Sequence, residues 1–312
     1  MRLIITIGIL LLLGCNKQQK KVGNESDNNT NLEMYDKLVW SGMLHFKDQK
    51  YELALSNFQD AFSIIPDESV NPYFYATASA LHLGQDETAK QLLIDAIEKT
   101  NASESYFLRF EEFDNFRDKE LFKRIQDDYD KHKKVFFDNL DNPEVYYEIE
   151  NMITKDQEVR TGDYSTEEMQ KVDSLNIARL IEINKEYGWQ EKQWLLLWHH
   201  RGIHRNDNYI WNYFRPFINE KIEKGELRKD FWAKFDDEKS MFSEKGTQIY
   251  GTYWNNYDQF PIDDIGKVDS LRNNVELPPL AYLKKVYGIV PPKEYDKELP
   301  VTLYIKNSGL SD

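Results

Sequence analysis

Apolar and polar positions fall into distinct blocks along the 312-residue chain. Leu3 to Leu13 is an apolar run relieved only by Thr6 and Gly8, whereas Asn16 to Asn31 holds a single sizeable apolar residue, Val22. Between Tyr35 and Glu98 the pattern matches itself at a spacing of 35 residues, so that Ala54, Phe58 and Ala61 recur as Ala89, Leu93 and Ala96. Small residues at two such positions let paired helices approach closely, and the larger one between them fills the gap. Turns are predicted at Phe46–Tyr51 and Leu83–Thr88, and a helical stretch rich in Phe and Tyr from Ser103 to about Asp138 is expected to cap the pairs. After Asn142-Pro143 the pattern changes. Ser165-Thr166-Glu167-Glu168 forms a capping box for a helix running to about Tyr187, with Gly188 as its terminator. Further helices are predicted near Lys192–Arg201, Tyr209–Glu223, Lys229–Phe242 and Leu280–Tyr287. The β-branched and aromatic stretch Thr247–Trp254 predicts a strand, with Phe260-Pro261-Ile262 as a short partner.

The first block is too short for a transmembrane helix, which needs about 20 apolar residues. A basic start, a short apolar centre and a small residue before the cut instead predict a signal peptide. Leu12-Leu13-Gly14-Cys15 resembles the lipobox of bacterial lipoproteins, which implies cleavage before Cys15 and attachment of lipid to its thiol. Cys15 is the only cysteine, which excludes an intramolecular disulfide and a cysteine metal cluster. The polar segment behind it reads as a flexible tether with a reach of roughly 20 to 25 Å. Asn16 is not the aspartate that marks inner-membrane retention in some bacteria, so the choice of membrane stays open, with the body expected to face the periplasm.

The repeating segment resembles tetratricopeptide repeats: Gly42, Tyr51, Ala54, Phe58, Ala61 and Pro66 stand where that consensus expects such residues. The second copy departs from it, with Thr77 matching Gly42 and Asn101 matching Pro66. Such repeats bind peptides or proteins in a concave groove, although an array this short can equally serve to pack on a neighbouring domain. The expected fold is mainly α, tetratricopeptide-like helical hairpins followed by a helical domain with a small β-hairpin. Its parts are a signal peptide at 1–14, the lipidated cysteine and tether at 15–32, the repeats with their capping helices at 33–140, and a mostly helical domain at 141–312.

Charge narrows the partners. The formal net charge is −14, one unit more negative once Arg2 is removed, and there is no basic stripe to track nucleic acid. Only Lys17, Lys20 and Lys21 on the tether favour an anionic leaflet. The 19 Tyr, 17 Phe and 7 Trp are ample for a packed core.

The stretch from about Glu144 to Tyr287 resembles an uncharacterised bacterial domain, domain-of-unknown-function family 6624. The resemblance rests on Asp156-Gln157 with Arg160, Asp173 with Asn176, Gly188-Trp189, Trp198-His199 with Arg201, and Gly246-Thr247-Gln248-Ile249-Tyr250-Gly251-Thr252. Many relatives carry Gln where this chain has Trp198 and Tyr253. The family has no established activity, so the resemblance implies a domain type and a set of marked residues without a reaction.

Spacing suggests what those residues can do. Asp156 and Gln157 each share a helix face with Arg160, and Asp173 shares one with Asn176. His199 lies one turn after Leu195 on a largely apolar helix, where an imidazole is at least partly buried. On a strand Gln248, Tyr250 and Thr252 point to one side, and Gly251 among them suggests a bulge or a close backbone approach. Together with Arg201 these residues make a candidate polar pocket, and they equally fit a structural network of ion pairs and a satisfied histidine. His200 and His204, four apart with Asp207 nearby, lack the glutamate of a zinc-protease motif, and Gly202 is expected to end the helix between them, so no metal is expected. No phosphate loop or nucleophile elbow points to a cofactor or a reaction. Two functions remain. One is an envelope protein that binds a protein, peptide or ligand, and the other is an envelope hydrolase of glycan or peptide using Asp156, Asp173 and His199.

Overall fold

The computed structural model describes residues 25–305 apart from Glu191, with side chains from Asn31 onward. The signal peptide, Cys15 and the tether lysines lie outside the described residues. The first helix, α1 (Glu25–Lys47), starts inside the segment expected as tether.

The architecture is mainly helical, and among the described residues it contains no strand. α1 pairs with α2 (Tyr51–Ile64), and α3 (Val70–His82) pairs with α4 (Asp86–Thr100). The turns inside the pairs fall where expected, with Gln49 and Gly84 in the left-handed region at φ 60° and 70°. Ala54, Ala61, Ala89 and Ala96 are fully buried where the paired helices meet. The short helices α5 (Glu104–Arg109), α6 (Glu120–Asp127) and α7 (Tyr129–Asp138) follow, and Phe107, Phe113 and Phe122 stack into the end of the array.

Pro143 opens α8 (Pro143–Thr161), where its missing N–H costs nothing. α9 (Thr166–Tyr187) begins at the expected capping box, with Ser165 and Glu168 each bonded to the other's backbone N–H. α10 (Trp194–Trp198), α11 (Tyr209–Glu223) and α12 (Ala233–Met241) complete a second cluster. Ile149, Ile177, Leu180, Leu197, Trp211 and Phe214 pack at its centre.

The last two helices are α13 (Val268–Asn274) and α14 (Leu280–Tyr287). Although they follow the second cluster in sequence, Ile262, Val268, Leu280, Tyr282, Leu283 and Val286 are buried with α1 to α4 in the first core. The span 141–312 therefore divides its apolar side chains between two cores.

The expected β-hairpin at 247–254 and 260–262 is corrected. The two segments touch through one parallel bridge between Gln248 and Ile262. Gln248 N–H donates to Pro261 O, and Asp263 N–H donates to Gln248 O, both at 2.8 Å. Beyond that bridge the backbone donors of Ile249, Tyr250 and Thr252 go to a side chain, Asp237, and Gly251 turns the chain at φ 69°. A Cβ there would meet Ile262 Cδ1 at 2.8 Å. Local β-propensity lost to a tertiary acceptor. Among the described residues no helix is long and apolar enough to cross a membrane.

Candidate functional site

The marked residues gather in two networks that meet at the turn after α10. The first is built by α8, α9 and His199. Asp156 and Arg160, one turn apart on α8, lie with Arg160 Nη2 3.0 Å from Asp156 Oδ1, and the same nitrogen meets Asp173 Oδ1 of α9 at 2.5 Å. The guanidinium is thus held between two carboxylates. Asp156 is only 2% exposed, and its Oδ2 accepts from Gln157 Nε2 at 2.8 Å. His199 Nε2 lies 2.9 Å from that oxygen and 3.0 Å from Arg160 Nε. Asn176, on the same face of α9 as Asp173, is buried with its Nδ2 unpartnered.

His199 Nε2 cannot serve both neighbours with one proton arrangement. Arg160 is a donor only, so its Nε–H bond requires a lone pair on His199 Nε2, which puts the neutral ring's proton on Nδ1. A bond to Asp156 requires the proton on Nε2. The Arg160 contact has hydrogen-bond geometry, whereas the Asp156 contact is a close approach of charges to an oxygen that already accepts from Gln157, so the Nδ1–H form fits the arrangement better. The ring, 20% exposed, then offers a donor at Nδ1. The neighbouring His200 has its pKa lowered by burial, which favours a neutral ring beside this charged group.

The second network centres on Asp237 and Glu238 of α12, which sequence reasoning missed. Asp237 Oδ1 accepts the backbone N–H of Ile249 at 2.6 Å and of Tyr250 at 2.8 Å. Its Oδ2 accepts Thr252 N–H at 2.7 Å and Thr252 Oγ1 at 2.8 Å. Burial raises the Asp237 pKa, and these four bonds oppose the rise. Gln248 is fully buried and satisfied: its amide donates to Phe260 O and Tyr253 O and accepts from Tyr253 N–H. Arg272, also buried, donates to Tyr250 O at 2.7 Å and Pro278 O at 2.6 Å. Arg201 Nε pairs with Glu238 Oε1 at 2.8 Å and stacks over Trp198, while Tyr253 hydroxyl donates to Glu238 Oε2.

Asp156, Gln157, Arg160, Asp173 and His199 therefore form one group. Gln248, Tyr250 and Thr252 belong to another, organised by Asp237, and Arg201 joins Glu238 beside it. The three loop residues do not stand in a row as on a strand. Their contacts tie down the loop, with every polar atom of the Gln248 amide used inside the protein. The usable signal in sequence was the acidic run Asp236-Asp237-Glu238. His204 is fully buried between Asp236 Oδ1 at 2.9 Å and Arg201 O at 2.8 Å, and Asp207 accepts from Asn212. Burial would raise the Asp236 pKa, but the bonds from His204 and Arg205 outweigh it and lower it.

Comparison with protein families, curated proteins and solved structures returns no match for this chain.

Proposed function

We propose that this chain is a lipid-anchored envelope lipoprotein whose periplasm-facing body binds a protein or ligand. In this reading lipid on Cys15 holds it to the membrane, tetratricopeptide-like hairpins form the first part of the body, and a domain of the 6624 type forms the second. One observation carries the choice of binding over hydrolysis: Arg160 donates to His199 Nε2. A general base must offer a lone pair to its substrate, and here the lone pair is spent on Arg160 while the free nitrogen bears the proton. Asp156 and Asp173 are likewise occupied by the guanidinium. Such a group presents donors to an acceptor-bearing ligand such as a carboxylate, carbonyl or sugar hydroxyl.

The test is to titrate the mature protein with glycan and peptide fragments of the cell wall while following turnover. Saturable binding without turnover, weakened about tenfold by His199→Ala (about 1.4 kcal/mol), supports the reading. Turnover that Asp156→Asn abolishes in a folded protein would replace it with the hydrolase.

A further inference from the structure

The last described residues lie in a built polar clamp on the first helical hairpin. Ser41 and His45 on α1 and Asn57 on α2 are all buried, an unusual set for the interior of a helix pair, where unpaired polar groups are costly. Their partner is the backbone N–H and C=O of one residue, Ile305. Ile305 N–H donates to Ser41 Oγ at 2.8 Å, and Asn57 Nδ2 donates to Ser41 Oγ at 3.0 Å and to Ile305 O at 3.4 Å. His45 Nε2 stands 3.4 Å from the same carbonyl. Ile305 packs beside Tyr35, Leu38 and Ala61. Tyr304 sets its ring edge-on to His45, and its hydroxyl donates to Asp48 at 3.1 Å.

Three features separate this from ordinary core packing. The polar grip is on main-chain atoms, so it reads an extended backbone whatever chain supplies it. The grip has capacity to spare, since Asn57 Oδ1 and His45 Nδ1 are buried without a partner. The occupant is also short of regular structure: no residue from 288 to 305 is buried, its only helical turn is the 3-10 turn at Val301–Leu303, and Tyr295 and Lys297, which bond to Asp269 and Gly266, hold it several residues before the clamp.

We infer that the first hairpin carries a peptide-reading groove that the chain's own residues 301–305 keep closed, and that an extended partner segment with an aromatic–aliphatic pair displaces Tyr304 and Ile305. The inference rests on the binding-module reading but on a different element from the His199 group. Asp48 selects an aromatic residue with a hydroxyl donor, the apolar wall of Tyr35, Leu38 and Ala61 selects the aliphatic side chain, and the clamp selects a free peptide N–H and so excludes proline at that position. Closure in cis lowers the apparent affinity for partners by the fraction of chains that are open.

The experiment uses a fluorescent peptide with the sequence of residues 299–305, followed by anisotropy against the full chain. The double variant Tyr304→Ala/Ile305→Asp, which weakens the cis contact, should bind the peptide at least tenfold more tightly than the native chain. Adding Asn57→Ala should remove that gain, while adding His199→Ala should leave it unchanged. Loss of the fold in the double variant, or binding no tighter than to a scrambled peptide, would overturn the inference. Hydrogen exchange on the native chain provides the second measurement. The Ile305 amide should exchange at least a hundredfold faster than buried amides of α1, and equal rates would make the segment part of the core. Failure here with His199-dependent binding intact would remove the groove alone.

Discussion

Arg228 and Glu68 lie 160 positions apart, yet Arg228 Nη2 meets Glu68 Oε1 at 2.7 Å. The pair ties the second helical cluster to the turn between α2 and α3. Asp36 of α1 pairs with the same guanidinium, and Asp230 lies beside it. One cation thus faces three carboxylates, Glu68 Oε2 and Asp230 Oδ1 have no partner, and Glu68 is only 3% exposed. Burial outweighs the attraction of Arg228 and pushes Asp36 up to about 6 and Glu68 and Asp230 up to about 7.

A pH dependence follows from the sign of these shifts. A carboxyl whose folded pKa exceeds its unfolded value binds its proton more tightly in the folded state. For Glu68 that contribution is complete below about pH 4 and is lost as pH rises to about 7. Glu68→Gln removes the titration while keeping the shape and leaves Asp36 to pair with Arg228. Melts from pH 5 to pH 8 should show the variant gaining about 1 to 3 kcal/mol on the native chain across that range. A constant difference between the two proteins would refute the assignment.

Asp237 replaces a β-ladder with four bonds from one side chain, so its loss should loosen the whole 248–253 loop. Asp237→Ala is expected to cost about 2 to 4 kcal/mol in urea unfolding. Asp237→Asn should be nearly as damaging, because its amide nitrogen would face N–H donors. Thr252→Val removes one bond of the four and should cost about 1 kcal/mol. An asparagine variant as stable as the native chain would show that the loop finds its partners elsewhere.

The same loop shows where sequence reading ends. Elements set by near neighbours were legible: the Ser165 capping box, the Gly188 stop, and the helices at 209–223 and 280–287 each depend on residues within a few positions. Thr247–Trp254 has the side chains of a strand, and only an acid on another helix, 12 to 15 positions earlier, makes it a loop. The helix-face pairing of Asp156 with Arg160 was legible. The meeting of Arg160 with His199 spans 39 positions and depends on how α8 and α10 pack. Nothing local announced that Ile262, Leu280 and Tyr282 join the core of α1 to α4, because amphipathic helices state that a face is buried without stating against what.

Gly42 tests the close approach of the first helix pair. An added Cβ would stand 2.7 to 2.9 Å from three atoms of the Phe58 ring. Alanine gains about 1 kcal/mol in helix propensity, and overpacking costs about 1 to 3 kcal/mol. Gly42→Ala should therefore destabilise by about 1 kcal/mol net. Phe58→Leu should relieve it, so that the double variant is more stable than the sum of the single changes predicts. Strict additivity would place Phe58 away from the strain.

The proposed lipid attachment predicts the behaviour of Cys15→Ser. The apolar run Leu3–Leu13 is too short to span, and no described helix can cross a membrane. The variant should lose lipid labelling and leave either uncleaved precursor or mature protein released from membranes by high salt. Mature variant that still sediments fully with membranes in high salt would defeat the anchor.

The proton on His199 decides what its site can do, and it can be observed directly. In the native chain Arg160 Nε holds His199 Nε2 as an acceptor, so nitrogen-15 spectra should show the neutral ring protonated at Nδ1. Arg160→Met removes the donor while keeping an unbranched side chain, leaving Asp156 Oδ2, 2.9 Å away, as the strongest neighbour of Nε2. The proton should then move to Nε2 and point at Asp156, freeing the lone pair of Nδ1 for solvent or ligand. That variant should bind acceptor-bearing ligands about tenfold less tightly, about 1.4 kcal/mol, because it presents a lone pair where the native ring presents a donor. Native spectra with the proton on Nε2 would reverse the argument: His199 would be an imidazole oriented by Asp156 with a free basic nitrogen, the arrangement a hydrolase needs.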